Sequence, residues 1–242
     1  MSETRSPGAS CPQAGSVSRE NRRVPTAAAQ FVRAHTTLAP VPFVPEVRLH
    51  LADDPIELWE QTEQQGAGDK PPPFWAFAWA GGQALARHLL DDPDLVDGRE
   101  VLDLATGSGL VAIAAARAGA SVVTANDIDP LSLAAAQANA DANAQTVRCV
   151  EGDLLDTTEG YAEAGVILAG DVFYSREMAA RVLPFLRRAA YRGALVLVGD
   201  PGRAYLPTTG MIKRAAYDVP VLESLEDATV RHTTVWQVTS RA

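Results

Sequence analysis

Val101-Leu102-Asp103-Leu104-Ala105-Thr106-Gly107-Ser108-Gly109 is the stretch whose reading decides the fold. An apolar run closes on an acid, a turn with two glycines follows, and Leu110 to Arg117 is rich in alanine. The pattern predicts a strand, a tight turn and a helix. Glycine at such a turn admits dihedrals closed to other residues and lets a ligand approach the backbone. This is the layout of a nucleotide-type cofactor site, although a lone G-x-G also occurs in ordinary strand-to-helix turns.

The next strand strengthens the cofactor reading. Ser121 to Asn126 is a second buried run, and it ends at Asp127, 20 residues beyond Gly107. With a right-handed crossover that end lies beside the glycine turn, where a carboxylate can accept both hydroxyls of a ribose. Gly107-x-Gly109-x-x-Ala112 also satisfies the dinucleotide fingerprint, so an NAD-dependent oxidoreductase is a competing class. Asp103 weighs against it, since a negative charge before the turn suits an ammonium group and repels pyrophosphate. About a hundred residues precede the unit, and no His/Lys pair downstream points to hydride chemistry. S-adenosylmethionine, with an amino-acid end, a ribose and no phosphate, fits better.

The 242 residues suffice for one α/β domain with extensions, and 47% hydrophobic content supports a core. No apolar run approaches the ~20 residues of a membrane span, so no membrane is expected. The net charge of −9 is unevenly spread: residues 1–42 carry five Arg and two Glu, the rest 16 basic and 28 acidic side chains. An acidic body disfavours nucleic acid and suits a basic protein partner. Cys11 and Cys149 do not make a disulfide framework, and the cytoplasm is the expected compartment. Four scattered His and two Cys predict no metal site.

Residues 1–38, rich in Ser, Pro, Ala, Gly and Arg, read as a disordered tail without the apolar core of a secretory signal. Residues 39–242 read as the catalytic domain, with a hairpin and aromatic segment over 39–98. Val44, Val47, Leu49 and Leu51 alternate as in a strand; Ile56–Glu60 reads as a second short strand and Gln61–Pro73 as a polar connection. Phe74 to Trp79 is an aromatic run that either plugs the sheet or walls the cofactor pocket, with Gly81-Gly82 permitting close approach. A helix is predicted over Gln83–Leu90. From Glu100 onward strands and helices alternate, predicting a doubly wound, mostly parallel sheet. The last segments are expected as a helix near Tyr205–Ala216 and strands near Tyr217–Glu223 and Thr229–Thr239. Ligands bind beyond the carboxyl ends of such strands, and those ends carry Asp103, Asp127, Asp153, Asp171 and Asp200. Asp153 is placed to accept from an adenine amine, Leu154 to offer its backbone, and Ile128 to pack on the adenine face.

Asp103 to Gly109, Asp127 and Asp153 resemble the cofactor motifs of class I, seven-strand S-adenosylmethionine-dependent methyltransferases. More narrowly, Phe74 to Trp79 with Gly81 to Leu85, Asn126 to Pro130, Gly170 to Tyr174, Gly199 to Arg203 and Thr233 to Trp236 resemble the electron transfer flavoprotein β-subunit lysine methyltransferases. The resemblance runs from about Val44 to the C-terminus. It implies a Rossmann-like seven-strand sheet, S-adenosylmethionine as cofactor, and a protein-lysine Nε-methyltransferase acting on that β subunit. Asp171, Phe173 and Tyr174 then match the family's D-x-F-Y motif as catalytic candidates. Trp79, Asp103, Thr106, Gly107, Gly109, Asp127, Ile128, Asp153 and Leu154 are the cofactor candidates. Ala105 and Ala80 depart from the family's glycine and proline. Nicotinamide-like small molecules and a ribosomal protein remain alternative substrates.

Methyl transfer needs the nucleophile held in line at near-attack distance, away from water. A lysine amine must first lose its proton, since its ordinary pKa is about 10.4. Asp171 is positioned to orient the amine, and Phe173 or Tyr174 to offer a π face to a cation, against the plainer role of core packing. A competing role for Asp171 is to cap the helix beginning near Arg176.

Overall fold

The computed structural model describes residues 26–64, 72–156, 164–226 and 228–240. The expected disorder of residues 1–25 and much of the polar connection before Pro73 lie outside the described residues. Among them, seven strands form one sheet and two more form a hairpin. The sheet strands are β3 (Glu100–Leu104), β4 (Val122–Asp127), β5 (Arg148–Glu151), β6 (Val166–Gly170), β7 (Leu195–Asp200), β8 (Met211–Pro220) and β9 (Val230–Val238). Their spatial order is β5-β4-β3-β6-β7-β9-β8. The first five are parallel, while β9 runs antiparallel to both of its neighbours. The glycine-turn strand β3 is therefore central, and the order reverses beside it, the switch point where open α/β sheets bind ligands.

Helices cover both faces. On one side lie α3 (Ala80–Asp91) and α4 (Leu110–Arg117), with α5 (Pro130–Ala142); on the other lies α6 (Arg176–Tyr191). The small side chains of α4, Ala112, Ala114 and Ala115, are fully buried, and a helix apolar all round is one enclosed by its neighbours. Helix α5 starts where the sequence requires: Pro130 occupies its first turn, and the Asp129 carboxylate accepts from Leu131 N at 2.9 Å.

The approach of α3 to the sheet is set by glycines on both sides. A Cβ on Gly81 would stand 2.2 Å from the Gly199 carbonyl oxygen, and a Cβ on Gly199 would stand 2.0 Å from the Gly81 oxygen. No side chain fits in that seam. The pair Gly81-Gly82, expected to admit a ligand, instead admits the ends of β6 and β7.

The N-terminal region is more ordered than its composition predicts. Thr26–Ala34 forms α1, and Thr37–Val41 (β1) pairs antiparallel with Val44–Leu51 (β2). Helix α1 lies within the stretch read as tail; Phe31 and Val32 are buried against Trp75, Ala134 and Ala138. Composition hid it, because two well-placed apolar residues on a short helix suffice once a partner face exists. The hairpin is equally integrated. Asn139 of α5 accepts from His50 N at 2.7 Å and donates to Ser108 O at 2.8 Å, joining β2 to the glycine turn through one fully buried amide.

Two further expectations are corrected. Ile56–Glu60 is not a strand but part of α2 (Pro55–Gln64), started by Asp54, whose carboxylate accepts from Glu57 N at 3.2 Å. Leu58 and Thr62, four residues apart, are both buried. Residues 205–216 are not helical: Leu206 precedes a proline, Gly210 takes φ 75°, and β8 begins at Met211. The paired alanines there mimic a helix pattern that pairing with β9 overrides.

A chain beginning at residue 37 loses the burial of Phe31 and Val32, each worth about 1.5–3 kcal/mol. Its thermal midpoint is expected to fall by on the order of 10 °C relative to a chain beginning at residue 26. Equal midpoints in calorimetry would show that α1 contributes no packing.

Candidate active site

The turn after β3 is built around two carboxylates. Asp103 is buried, and its Oδ2 accepts from Thr106 Oγ1 at 2.5 Å and Ala112 N at 3.1 Å, tying the strand end to the start of α4. Asp127, at the end of β4, accepts from Gly107 N at 3.0 Å and Asp129 N at 3.0 Å. Ala105, Gly107 and Gly109 all take positive φ, at 54°, 52° and 80°. A Cβ on Gly107 would meet nothing within 4 Å, so that residue faces open space, whereas Gly109 abuts Ala136 of α5. Gly107 is thus the glycine on the ligand side, and Gly109 serves helix packing.

Burial pushes the Asp103 carboxyl up to about 7, against the pull of Thr106 and Ala112 and with help from the Asp127 charge. Burial likewise raises Asp127, opposed by the Asp129 and Gly107 amides. Two desolvated acids that repel each other form a site that a cation relieves and a pyrophosphate aggravates. The residues therefore fit S-adenosylmethionine, whose α-ammonium group and sulfonium are cationic and whose ribose matches Asp127.

Along the rim, Ile128 is 71% exposed immediately after Asp127, a free apolar face beside the ribose acid. Asp153 is engaged: it accepts from Leu155 N at 3.0 Å and pairs with Arg181 at 2.7 Å, a guanidinium shared with Asp156. Burial pushes its carboxyl up, but Leu155 N–H and Arg181 outweigh this and hold it below the ordinary value. The Leu154 side chain is in the core, leaving its backbone on the loop. Asn126, given no role from sequence, donates to Val150 O and Gly152 O at 2.9 Å each and holds that loop against β4.

The other half of the site lies at the ends of β6 and β7. Asp171 takes φ 55°, uncommon for a residue with a Cβ. Its amide donates to Gly199 O at 2.9 Å, and its Oδ2 accepts from Gly82 N at 3.1 Å in the first turn of α3. Its Oδ1 accepts from Arg203 Nε at 3.1 Å and Nη2 at 2.8 Å. Arg203 also grips Glu226, on the short helix α7 (Glu223–Glu226), at 2.8 and 3.1 Å, and lies over the Trp79 ring at 5.8 Å. Burial lifts the Asp171 carboxyl to about 6 even though Arg203 pulls it down. Asp171 does not cap α6. That end is capped by Ser175, whose hydroxyl oxygen accepts from Met178 N at 3.1 Å.

The aromatic candidates separate. Phe173 is fully buried among Leu102, Val196 and Leu186, so it is a core residue and offers no face to a ligand. Its neighbour Tyr174 is half exposed and touches Phe74, with ring centroids 5.9 Å apart. Phe74 packs on Trp79 at 5.8 Å, and the Trp79 indole N–H donates to Phe74 O at 2.9 Å. Burial and then the Asp127 charge hold the Tyr174 hydroxyl above its ordinary value. Sequence reasoning missed Arg203 and Glu226. Arg203 stood in a quoted motif without a role, and nothing local marks Glu226 as its partner. Among the described residues no His, Cys, Asp and Glu group can hold a metal, and no helix is long and apolar enough to cross a membrane.

The chain has relatives among known methyltransferases. A family model described as ribosomal protein L11 methyltransferase matches residues 84–172. The electron transfer flavoprotein beta subunit lysine methyltransferase of Xenopus laevis is 38% identical over 212 residues, covering 85% of each chain. The Danio rerio protein of that name is 42% identical over 163 residues, 66% of this chain and 61% of that one. A solved structure from Pyrococcus horikoshii, described as a candidate RNA methyltransferase, superposes with a TM-score of 0.51. It covers 76% of this chain and 98% of that one at 14% identity, a likeness of fold.

Replacing Asp127 by alanine removes a charge-assisted partner worth about 1.5–3 kcal/mol to a ribose diol. Calorimetric titration with S-adenosylmethionine is expected to show affinity weakened roughly ten- to a hundred-fold or somewhat more. Unchanged affinity in the folded variant would remove Asp127 from the ribose site.

Proposed function

The chain belongs to the electron transfer flavoprotein β-subunit lysine methyltransferases and is an S-adenosylmethionine-dependent methyltransferase; on that premise we propose that its substrate is a lysine Nε of the electron transfer flavoprotein β subunit. The relationship across 85% of the Xenopus laevis chain carries this reading. The geometry agrees with it. Phe74 and Tyr174 form a half-exposed aromatic shelf, suited to the four-carbon stem of a lysine. The body of the chain, acidic outside residues 1–42, suits a basic protein face rather than nucleic acid. We place the protein in the cytoplasm, a reducing compartment consistent with the free, buried thiol of Cys149.

The bound cofactor supplies an electrophilic methyl group. Within the proposal, Asp103 and Thr106 shape the turn that receives its amino-acid end, Gly107 leaves room there, and Asp127 accepts from the ribose hydroxyls. Ile128 covers the adenine, with Asp153 and the Leu154 backbone at its edge. Tyr174 offers a π face to the incoming cation, and Trp79, its own face turned to Arg203, backs Phe74. Asp171 orients the amine. A carboxylate has about four acceptor positions, and Arg203 and Gly82 use three of them. The fourth is left for an amine N–H. The amine nitrogen must shed its proton to water before it reacts, so rate rises with pH toward the lysine pKa.

Labelled S-adenosylmethionine incubated with the flavoprotein β subunit, nicotinamide and ribosomal protein L11 in parallel tests the substrate. Label is expected on the β subunit, mapped by peptide mass spectrometry to a lysine; preferential labelling of either competitor would overturn the assignment. For the orienting role, Asp171→Asn is expected to slow single-turnover methyl transfer about a hundred-fold or more, as misoriented groups do. Its affinity for S-adenosylmethionine is expected to stay within a few-fold of wild type. A near-normal single-turnover rate would make Asp171 a purely structural anchor.

A further inference from the structure

We propose that Arg203 is a positioning residue for methyl transfer: its fork fixes the Asp171 carboxylate and balances its charge, so that Asp171 meets the amine as a hydrogen-bond acceptor rather than as a counter-ion. The proposal rests on the reading of Asp171 as the group facing the amine. The role assigned to Arg203 is exerted through Asp171.

The geometry needs an arginine. Nε and Nη2 converge on one oxygen of Asp171, while Nη1 and Nη2 reach the two oxygens of Glu226. Four of its five N–H groups are thereby used in a planar pattern that an ammonium cannot copy. The loop that delivers Arg203 is itself prepared. Asp200 Oδ1 accepts from Gly202 N and Arg203 N, each at 2.7 Å, and Gly202 takes φ 87°, which turns the chain back across the end of β6. Asp171 is held by its own amide to Gly199 of β7. Both ends of the ion pair are anchored on β7, so the carboxylate has little freedom to swing.

The charges around Asp171 come from four places. Arg203 and Asp200 belong to the end of β7 and its loop, Glu226 to α7, Arg231 to β9, and the Gly82 amide to the start of α3. Arg231 stands 3.5 Å from Glu226 and donates to its carbonyl. Arg203 is the cation in direct contact with Asp171. An unbalanced carboxylate beside a lysine stabilises the ammonium and so opposes the deprotonation that transfer requires. A buried carboxylate without its cation takes up a proton and ceases to accept. Arg203 prevents both outcomes, and the two neighbouring acids act against it: Asp200 and Glu226 raise the Asp171 carboxyl, Arg203 lowers it.

The test follows the Asp171 carboxyl by carbon NMR of the full chain labelled at aspartate, together with single-turnover transfer to the β subunit. Wild type is expected to titrate near 6. Arg203→Met is expected to move that titration upward by a unit or more and to slow transfer about a hundred-fold at pH 7, with S-adenosylmethionine affinity within about three-fold. Arg203→Lys restores the titration but not the rate, because a point charge cannot hold the fork. Glu226→Gln moves the titration the opposite way, downward, and serves also if Arg203→Met does not fold. A merely structural pair would shift the titrations in the same way but leave the single-turnover rate of folded Arg203→Met near wild type, and that result overturns the proposal. An Asp171 titration unmoved in Arg203→Met, or moved in the same direction in both variants, overturns the proposal. Failure of the β subunit to be methylated by wild type would instead remove the substrate assignment, leaving the titrations to decide the role of Arg203.

Discussion

The contact on which the site depends is the one between Asp171 and the first turn of α3. Gly81 lies so close to Gly199 that neither tolerates a Cβ, and only at that distance does the Gly82 amide reach the Asp171 carboxylate. Helix α3, β6 and β7 thus meet as backbone on backbone, with the Asp171 carboxylate taking the Gly82 amide at the seam. The left-handed conformation of Asp171 is the local cost of this arrangement, and it persists because Gly82, Gly199 and Arg203 all hold it. Trp79, the residue before α3, is placed by the same seam, which carries the aromatic shelf along with it.

Electrostatics extends the constraint across the whole rim. Asp103, Asp127, Asp171 and Asp200 all have carboxyls raised by burial above the ordinary carboxylate value. For a group whose folded value lies above its unfolded one, the proton binds better in the folded state. The folded protein therefore loses stability through these groups as pH rises from about 4 toward 7, and regains it as pH falls. Such an arrangement is unfavourable for an empty domain at neutral pH. It is useful where cations arrive, because a sulfonium, an ammonium or a guanidinium is then worth more than it would be at a hydrated surface. Arg203 meets that demand permanently at one end; the cofactor meets it at the other only when bound.

Much of the fold is legible in the sequence. The alternation from Glu100 to Asp200, the acid at each strand end and the Pro130 helix start are local signals, and strand and helix follow them. What stayed hidden depends on distance in sequence. Phe31 finds its partner Trp75 only after α5 has supplied a face, so composition read that helix as tail. The alanines at 215 and 216 look helical until β9 offers a ladder. Glycines at 81 and 82 looked like room for a ligand, and only the fold shows that a second pair of glycines at 170 and 199 claims that room. Phe173 and Tyr174 are adjacent and chemically alike, yet the direction of one strand end sends the first into the core and the second to the cleft. Arg203 and Glu226 are 23 residues apart and meet only across the antiparallel edge of the sheet.

Central to this account is a site preformed by the seam rather than assembled by its ligands, and hydrogen exchange at one amide tests that most directly. In the free protein the Gly82 N–H is expected to exchange as slowly as the amides of β3 and β6, because it is closed off by Asp171 and by the apposed glycines. Exchange of that amide at the rate of an open loop, with the central strands still protected, would contradict a seam that stands before cofactor or substrate arrives.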